Sequence, residues 1–411
     1  MSEHPTIRWT EADKERSARW RSESGAAPPK RVVIADDTMK ADEAYRLACE
    51  GTALLWQGDF QNARQLLLAM SRRADRKPRK ASEVAGAAFN LHRQSQSQRT
   101  RALAMILVPL DSDYTIPLRR APDMRQACTE AYGETTSHST RPSTNAGQVA
   151  GYGAGDGKLL SGHPSEPSVV SLRELLGLIG AHEWRKKGVE IPALGARIHP
   201  HYGVYSPVRG EYVGLVNEAP LPSTELAFDI GTGTGVLAAV LARRGVKHIV
   251  ATDQDPRALA CARENLARLG LSAQVEVVQA DLFPAGKAPL IVCNPPWIPA
   301  RPNSPIERAI FDPDSRMLRG FLSGLAAHLE PGGEGWLVLS DIAEHLGLRT
   351  RDEMLAAFDA AGLKVIGRMD VKPHHPKVSD AADPLHTARA AEITSLWRLA
   401  GARPKALRLI A

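Results

Sequence analysis

After Leu221, short apolar runs and longer amphipathic segments take turns along the chain. Leu226 to Ile230, Ile249 to Thr252, Val275 to Val278, Leu290 to Cys293 and Trp336 to Leu339 read as strands. The stretches near Gly235 to Arg244, Pro256 to Leu269 and Leu318 to Leu329 read as helices. This alternation predicts an α/β sheet covered by helices on both faces, because each apolar strand must be buried on two sides. A ligand of such a sheet sits outside the carboxyl ends of its strands, so the turns that leave those strands are where chemistry is expected.

The first such turn is Asp229-Ile230-Gly231-Thr232-Gly233-Thr234-Gly235. Its glycines permit a tight strand-to-helix turn and close approach of backbone to a ligand. The third glycine arrives one position earlier than in GxGxxG, which argues against a dinucleotide pyrophosphate. The second strand ends on Asp253, whose two oxygens can accept both hydroxyl protons of a ribose. Asp281 follows the third strand and is placed to accept an adenine amino proton, with Leu282 and Phe283 covering the ring. As plain structure, Asp253 and Asp281 would be helix-capping or loop carboxylates.

The fourth strand runs into Cys293-Asn294-Pro295-Pro296-Trp297. The Asn294 amide oxygen and the Pro295 carbonyl are two acceptors that together hold the protons of an amino or amide nitrogen. Pro295 and Pro296 restrict the backbone that presents them. Trp297 offers a flat surface on which the group attached to that nitrogen stacks. A Pro-Pro turn with a packing tryptophan can also be mere structure; the joint pattern with the glycine loop and the two acids is what carries the reading. Cys293, with no activating histidine adjacent in sequence, reads as a small packing residue.

These features, in this order and spacing, resemble the class I S-adenosylmethionine-dependent methyltransferases over roughly Leu221 to Leu399. The branch most similar carries an N/D-Pro-Pro-aromatic motif and includes release-factor glutamine methyltransferases and enzymes acting on nucleobase amino groups. The resemblance implies a Rossmann-like sheet. It implies that Asp229, Gly231, Thr232, Gly233 and Gly235 surround the methionine and ribose of S-adenosylmethionine, that Asp253 binds the ribose and that Asp281, Leu282 and Phe283 bind adenine. Asn294 would border both cofactor and substrate, and S-adenosylhomocysteine would be the product. The segment after Trp297, through Ala309-Ile310-Phe311-Asp312, departs from the usual release-factor pattern. A protein glutamine and an RNA base therefore both stand as substrates, with a small amine-bearing molecule behind them.

The preceding half carries no comparable signature. Residues 1–38, rich in charge, Ser, Ala and Pro, read as a loosely ordered arm, and 39–133 as a smaller, mainly helical domain, with two short helices between Ala41 and Arg73 broken at Gly58-Asp59 and another from Ala81 to Arg93. The Gly, Ser and Pro-rich stretch 134–168 reads as a linker, which leaves 169–400 for the methyltransferase domain, opening with a helix from Val169 to Lys187. The basic run Arg64, Arg72, Arg73, Arg76, Lys77, Arg79 and Lys80 is either a solvated helix end or a substrate-binding patch.

A net charge of +6 permits a nucleic-acid partner without requiring one. Four scattered cysteines without a CxxC pair suggest neither a metal site nor a disulfide framework, and no apolar stretch is long enough to cross a bilayer. The expectation is a soluble cytoplasmic protein of undetermined oligomeric state. Two other classes compete with the methyltransferase: a regulator or assembly factor that binds S-adenosylmethionine without turnover, and a nicotinamide-dependent oxidoreductase.

Overall fold

The computed structural model describes residues 4–76, 84–134, 167–302, 306–374 and 383–402. The described chain divides into two compact units. The first comprises residues up to 76 and from 99 to 179, and the second residues 84–98 and those from 180 onward.

The first unit is built on a six-stranded sheet. Its strands and helices run β1 (Thr6–Glu11), β2 (Lys14–Arg21), β3 (Arg31–Ala35), α1 (Ala41–Cys49), β4 (Thr52–Trp56), α2 (Phe60–Arg76), the end of α3 (Ala85–Leu103), β5 (Ile106–Leu110), α4 (Arg125–Tyr132), β6 (Ser168–Ser171) and the start of α5 (Leu172–Lys187). The spatial order is β1-β2-β6-β5-β4-β3. Here the sequence reading needs correction. Residues 6–21 form an antiparallel hairpin and not a loose arm. In it, small alternations of apolar and charged residues place Ile7 and Trp20 in the core, Trp20 at 7% exposure with its Nε1–H donated to the Ala26 carbonyl. Charged residues on the other face hid the pattern.

The domain expected to be mainly helical is likewise a mixed sheet-and-helix unit. All five residues of β4 are buried, so the continuous apolar run Ala53-Leu54-Leu55-Trp56 forms a central strand between the two helices that were expected to adjoin. Gly58-Asp59 does mark the start of α2, where Asp59 Oδ1 accepts the Gln61 amide. Val169 to Ser171, expected in a helix, belong to β6 and the first unit. Of the basic run, Arg73 is paired with Asp42 and Arg64 donates to Gln61; Lys77, Arg79 and Lys80, like residues 135–166 of the expected linker and residues 81–83 of the expected helix, lie outside the described residues.

The second unit holds a seven-stranded sheet. After the hairpin β7 (Val189–Ile191) and β8 (Ala196–Ile198) come α6 (Glu211–Glu218), β9 (Leu226–Ile230), α7 (Val236–Arg243), β10 (His248–Asp253), α8 (Pro256–Arg268), β11 (Val275–Gln279) and β12 (Ala288–Cys293). There follow α9 (Arg316–His328), β13 (Leu329–Ser340), α10 (Ile342–His345), α11 (Arg351–Ala360), β14 (Leu363–Val371), α12 (His386–Ala391) and β15 (Thr394–Gly401). The order is β11-β10-β9-β12-β13-β15-β14, parallel from β11 to β13, with β15 antiparallel to both its neighbours.

The five strands and three helices read from sequence are present within a few residues, except that the strand read from Trp336 already begins at Leu329. β14 and β15 were not anticipated, because β14 exposes most of its residues and lacks a continuous apolar run. Two separate apolar clusters pack on the sheet. One includes Val240, Leu241 and Trp336, and the other Phe228, Phe321 and Leu337. That double coverage is why the inner strands β9 and β12 are buried over nearly their whole length, whereas the edge strand β11 exposes Glu276 and Gln279. The carboxyl ends of β9, β10, β11 and β12 therefore open along one edge. Among the described residues, no helix is long and apolar enough to cross a membrane.

Candidate active site

The turn after β9 is built around Asp229, whose side chain is buried within the sheet end at 1% exposure. Its Oδ2 accepts from Thr232 Oγ1 at 2.7 Å and from the Ala238 amide at 3.0 Å, which fastens the loop to the first turn of α7. Burial in this setting pushes the Asp229 carboxyl up to about 6, against the pull of those two donors. The Gly231 and Thr232 amides both donate to the Thr252 carbonyl, at 2.9 and 2.8 Å, so the loop is also tied to β10. Gly231 has φ +72° and faces the Met317 methyl so closely that a Cβ would collide with it. Gly235, at φ +81°, lets α8 approach: its Cβ would lie 3.3 Å from Ala262.

Asp253 ends β10 with each oxygen already oriented. Oδ2 accepts the Gly233 amide and Oδ1 the Asp255 amide, both at 3.0 Å. A carboxylate oxygen has a second lone pair, so each remains able to accept one further proton, as a ribose diol demands. Burial raises its pKa.

At the end of β12, Asn294 Oδ1 accepts the Trp297 indole N–H at 2.9 Å. Ile298 then bridges to Phe311, through Ile298 N to the Ile310 carbonyl and Asp312 N to the Ile298 carbonyl. Asp312, itself buried, caps the start of α9 by accepting the Met317 and Leu318 amides. Cys293 lies fully inside the core and burial holds its thiol well above the ordinary range, in keeping with a packing role.

These turns open on one cavity of about 970 Å³, lined by Asp229, Gly231, Thr232, Gly233, Asp253, Leu282, Asn294, Pro295, Pro296 and Trp297 among others. Three residues expected at the ligand do not line it. Gly235 serves helix packing. Asp281 is exposed and pairs with Arg316 at 3.0 Å and with Gln254. Phe283 stacks on His328, with ring centroids 4.3 Å apart, and on Phe321, on the core side of the loop. Leu282, at φ +73°, turns the chain so that its own side and not that of Phe283 borders the cavity.

Sequence reasoning missed a second layer. Tyr205, Arg209, Tyr212 and Glu392 all line the same cavity. Arg209 lies over Trp297, its guanidinium carbon 5.3 Å from the ring centroid. It is held by Glu211 and by Glu392, which is 2% exposed. The approach to Tyr205 is pinned onto α8. The Asn265 side-chain oxygen accepts the His199 amide at 2.8 Å, and His201 Nε2 meets Glu264 Oε2 at 2.7 Å. Desolvation alone would raise the Glu264 carboxyl, yet Arg268, His201 and Arg185 outweigh it and hold it down to about 2. The segment from Ile198 to Tyr205 is rich in Pro, Gly and His but carries no motif, and nothing near Glu392 marks it.

Residues 197–361 match the family model described as the methyltransferase small domain. A release factor glutamine methyltransferase of Cereibacter sphaeroides is 38% identical over 130 residues, 31% of this chain and 43% of that protein. A putative protein N5-glutamine methyltransferase of Methanocaldococcus jannaschii is 31% identical over 153 residues, 35% of this chain and 75% of that protein. The chain belongs to the S-adenosylmethionine-dependent methyltransferases. Within that family, its match spans less than half the length of the first relative, and the first unit lies outside the matched domain. Among solved structures, a ribosomal protein L11 methylase of Lactobacillus delbrueckii aligns at 20% identity and a TM-score of 0.35, over 50% of this chain and 86% of that one. The cavity's lining fits the family's cofactor on its own chemistry: the Asp253 carboxylate keeps a lone pair on each oxygen that a ribose diol could use, and the Asn294-Pro295-Pro296-Trp297 turn borders the same space.

Proposed function

We propose that this methyltransferase places a methyl group on the planar nitrogen of a protein glutamine side chain. The observation that carries this is the opening of the Asn294-Pro295-Pro296-Trp297 turn onto the cavity that Asp253 borders. The glutamine assignment draws on the names of the two relatives.

S-adenosylmethionine supplies an electrophilic methyl on a positively charged sulfur. The chain's own task is to bring a nitrogen into line with it. Asn294 Oδ1 spends one lone pair on Trp297 and keeps the other for a substrate N–H; the Pro295 carbonyl takes the second N–H. A nitrogen held there would take the methyl as the S–CH₃ bond gives its pair to sulfur, and would release one N–H proton to solvent, leaving a secondary amide. Trp297, fixed by its bond to Asn294 and by Arg209 on its ring, restrains the plane of the amide. Four unpaired cysteines fit work in a reducing cytoplasm.

The test is to incubate the full chain with methyl-labelled S-adenosylmethionine and cell lysate, then to separate protein, RNA and small molecules. Label in protein, recovered as N5-methylglutamine after enzymatic digestion, is expected. Label confined to RNA or small molecules would replace the substrate, and cofactor binding without label anywhere would replace the enzyme with a regulator.

A further inference from the structure

Toward the two N–H groups of a substrate nitrogen the transfer motif offers two acceptors, Asn294 Oδ1 and the Pro295 carbonyl. A primary carboxamide brings two N–H donors and also a carbonyl oxygen, which needs a donor when it leaves water. Of the arginines that line the cavity, Arg209 is the one that lies over the Trp297 ring. Its Nε donates to Glu211 Oε1 at 3.1 Å and its Nη2 to Glu392 Oε1 at 3.0 Å. Ser340 Oγ donates to the same Glu392 oxygen at 2.6 Å, so the clamp is itself clamped. Nη1 has no hydrogen-bond partner among the described residues, although the guanidinium lines the cavity and lies over Trp297. Two carboxylates suffice to hold an arginine in place. The consequence of this particular arrangement is a donor nitrogen immobilised beside the ring on which the substrate plane rests.

We infer that Arg209 Nη1 donates to the carbonyl oxygen of the substrate carboxamide, making Arg209 the residue that selects an O=C–NH₂ group over an amine without the oxygen. The inference rests on the amide-nitrogen reading above and adds the group that reads the rest of the amide. A fixed planar fork is what distinguishes arginine from lysine in such a place. Because Glu211 and Glu392 set its orientation, little side-chain freedom is lost when the oxygen arrives.

The experiment uses the full chain saturated with S-adenosylhomocysteine and two small planar probes, benzamide and aniline, titrated by ligand-observed NMR. Benzamide is expected to bind about tenfold more tightly than aniline, the scale of one charge-assisted hydrogen bond. In Arg209→Lys that preference should vanish while S-adenosylmethionine affinity, read by calorimetry, stays within about twofold of the parent. A role confined to holding Glu211 and Glu392 would not move the ratio between the probes. Equal binding of the two probes to the parent, no binding of benzamide, or a preference retained in folded Arg209→Lys overturns the inference. If Arg209→Lys does not fold, Arg209→Gln is titrated the same way. The binding readout needs no turnover, so it fails or succeeds separately from the search for N5-methylglutamine.

Discussion

The Trp297 indole N–H donates to Asn294 Oδ1 across 2.9 Å, so the aromatic residue of the Asn-Pro-Pro-Trp turn also orients the Asn294 side chain. Trp297→Phe keeps a stacking ring but frees the Asn294 side chain to rotate. Single-turnover methyl transfer at saturating cofactor should therefore fall by about tenfold, the scale of one lost hydrogen bond, and further in Trp297→Ala. Asn294→Ala should lose more transfer still. Calorimetry on all three should return the parent cofactor affinity. Parent transfer rates in a folded Asn294→Ala protein would remove nitrogen positioning from the mechanism.

Asp253→Ala should weaken S-adenosylmethionine binding by about 1.5 to 3 kcal/mol, or roughly tenfold or more. The carboxylate accepts the Gly233 amide as well, so the variant loosens the glycine turn it is meant to face. Calorimetry gives the affinity and a thermal melt tests the fold. Unchanged affinity would show that the diol is bound elsewhere.

Asp229 gives the cofactor-free protein a specific pH dependence. Its folded-state pKa, raised to about 6 by burial, lies above the ordinary carboxylate value, so between these limits the folded protein binds more protons than the unfolded one. Stability from this group is fully present below the unfolded pKa and declines as pH rises through about 6. Asp229→Asn removes the titration while keeping an oxygen for Thr232 and Ala238. The difference in unfolding free energy between variant and parent should shift in the variant's favour from pH 4 to pH 7, by an amount on the order of 3 kcal/mol at most. A difference independent of pH would mean that Asp229 does not titrate there.

Glu264→Gln should weaken cofactor binding without touching the cofactor. The Glu264 carboxylate holds His201, and the segment it anchors leads to Val204 and Tyr205 at the cavity wall. A loss of about threefold to tenfold in affinity is expected, from ordering that binding must then provide. Calorimetry on the parent and variant decides it. Affinity equal to the parent's would make the His201 to Glu264 pair a surface contact only.

Phe89, on the first half of α3, is buried against Ile342, Leu346 and Leu385 of the second unit, and Arg93 lies 4.1 Å above the Phe311 ring while pairing with Glu307. Phe89→Ala should cost about 3 kcal/mol or more, read as a lower melting temperature of the full chain. A fragment beginning at residue 168 should melt below the full chain for the same reason, and unchanged melting of both would place Phe89 outside the core.

The second unit's strands and the transfer motif were legible because buried parallel strands must be apolar throughout and because turns at their ends use glycine and proline for backbone reasons. Asp253 and Asn294 stand where that logic puts them. Phe283 does not, since the left-handed turn at Leu282 is set by tertiary packing that no local pattern announces. Arg209 and Glu392 are 183 residues apart in sequence and meet only through the fold. In the first unit, the hairpin at residues 6–21 was invisible because its apolar positions are few and its charged ones many.

The helix α3 crosses from one unit to the other, its residues to Gln98 belonging to the second and those from Arg99 to the first. The methyltransferase unit is therefore encoded in two separated pieces, the smaller lying in sequence between the two segments of the other unit. Exchange of the catalytic half between genes at a single junction would leave Phe89 and Arg93 behind. For this chain, exchange of the catalytic unit without the other needs three crossovers, one on each side of the piece that ends at Gln98 and one before Gly180, which binds the inheritance of the two units together.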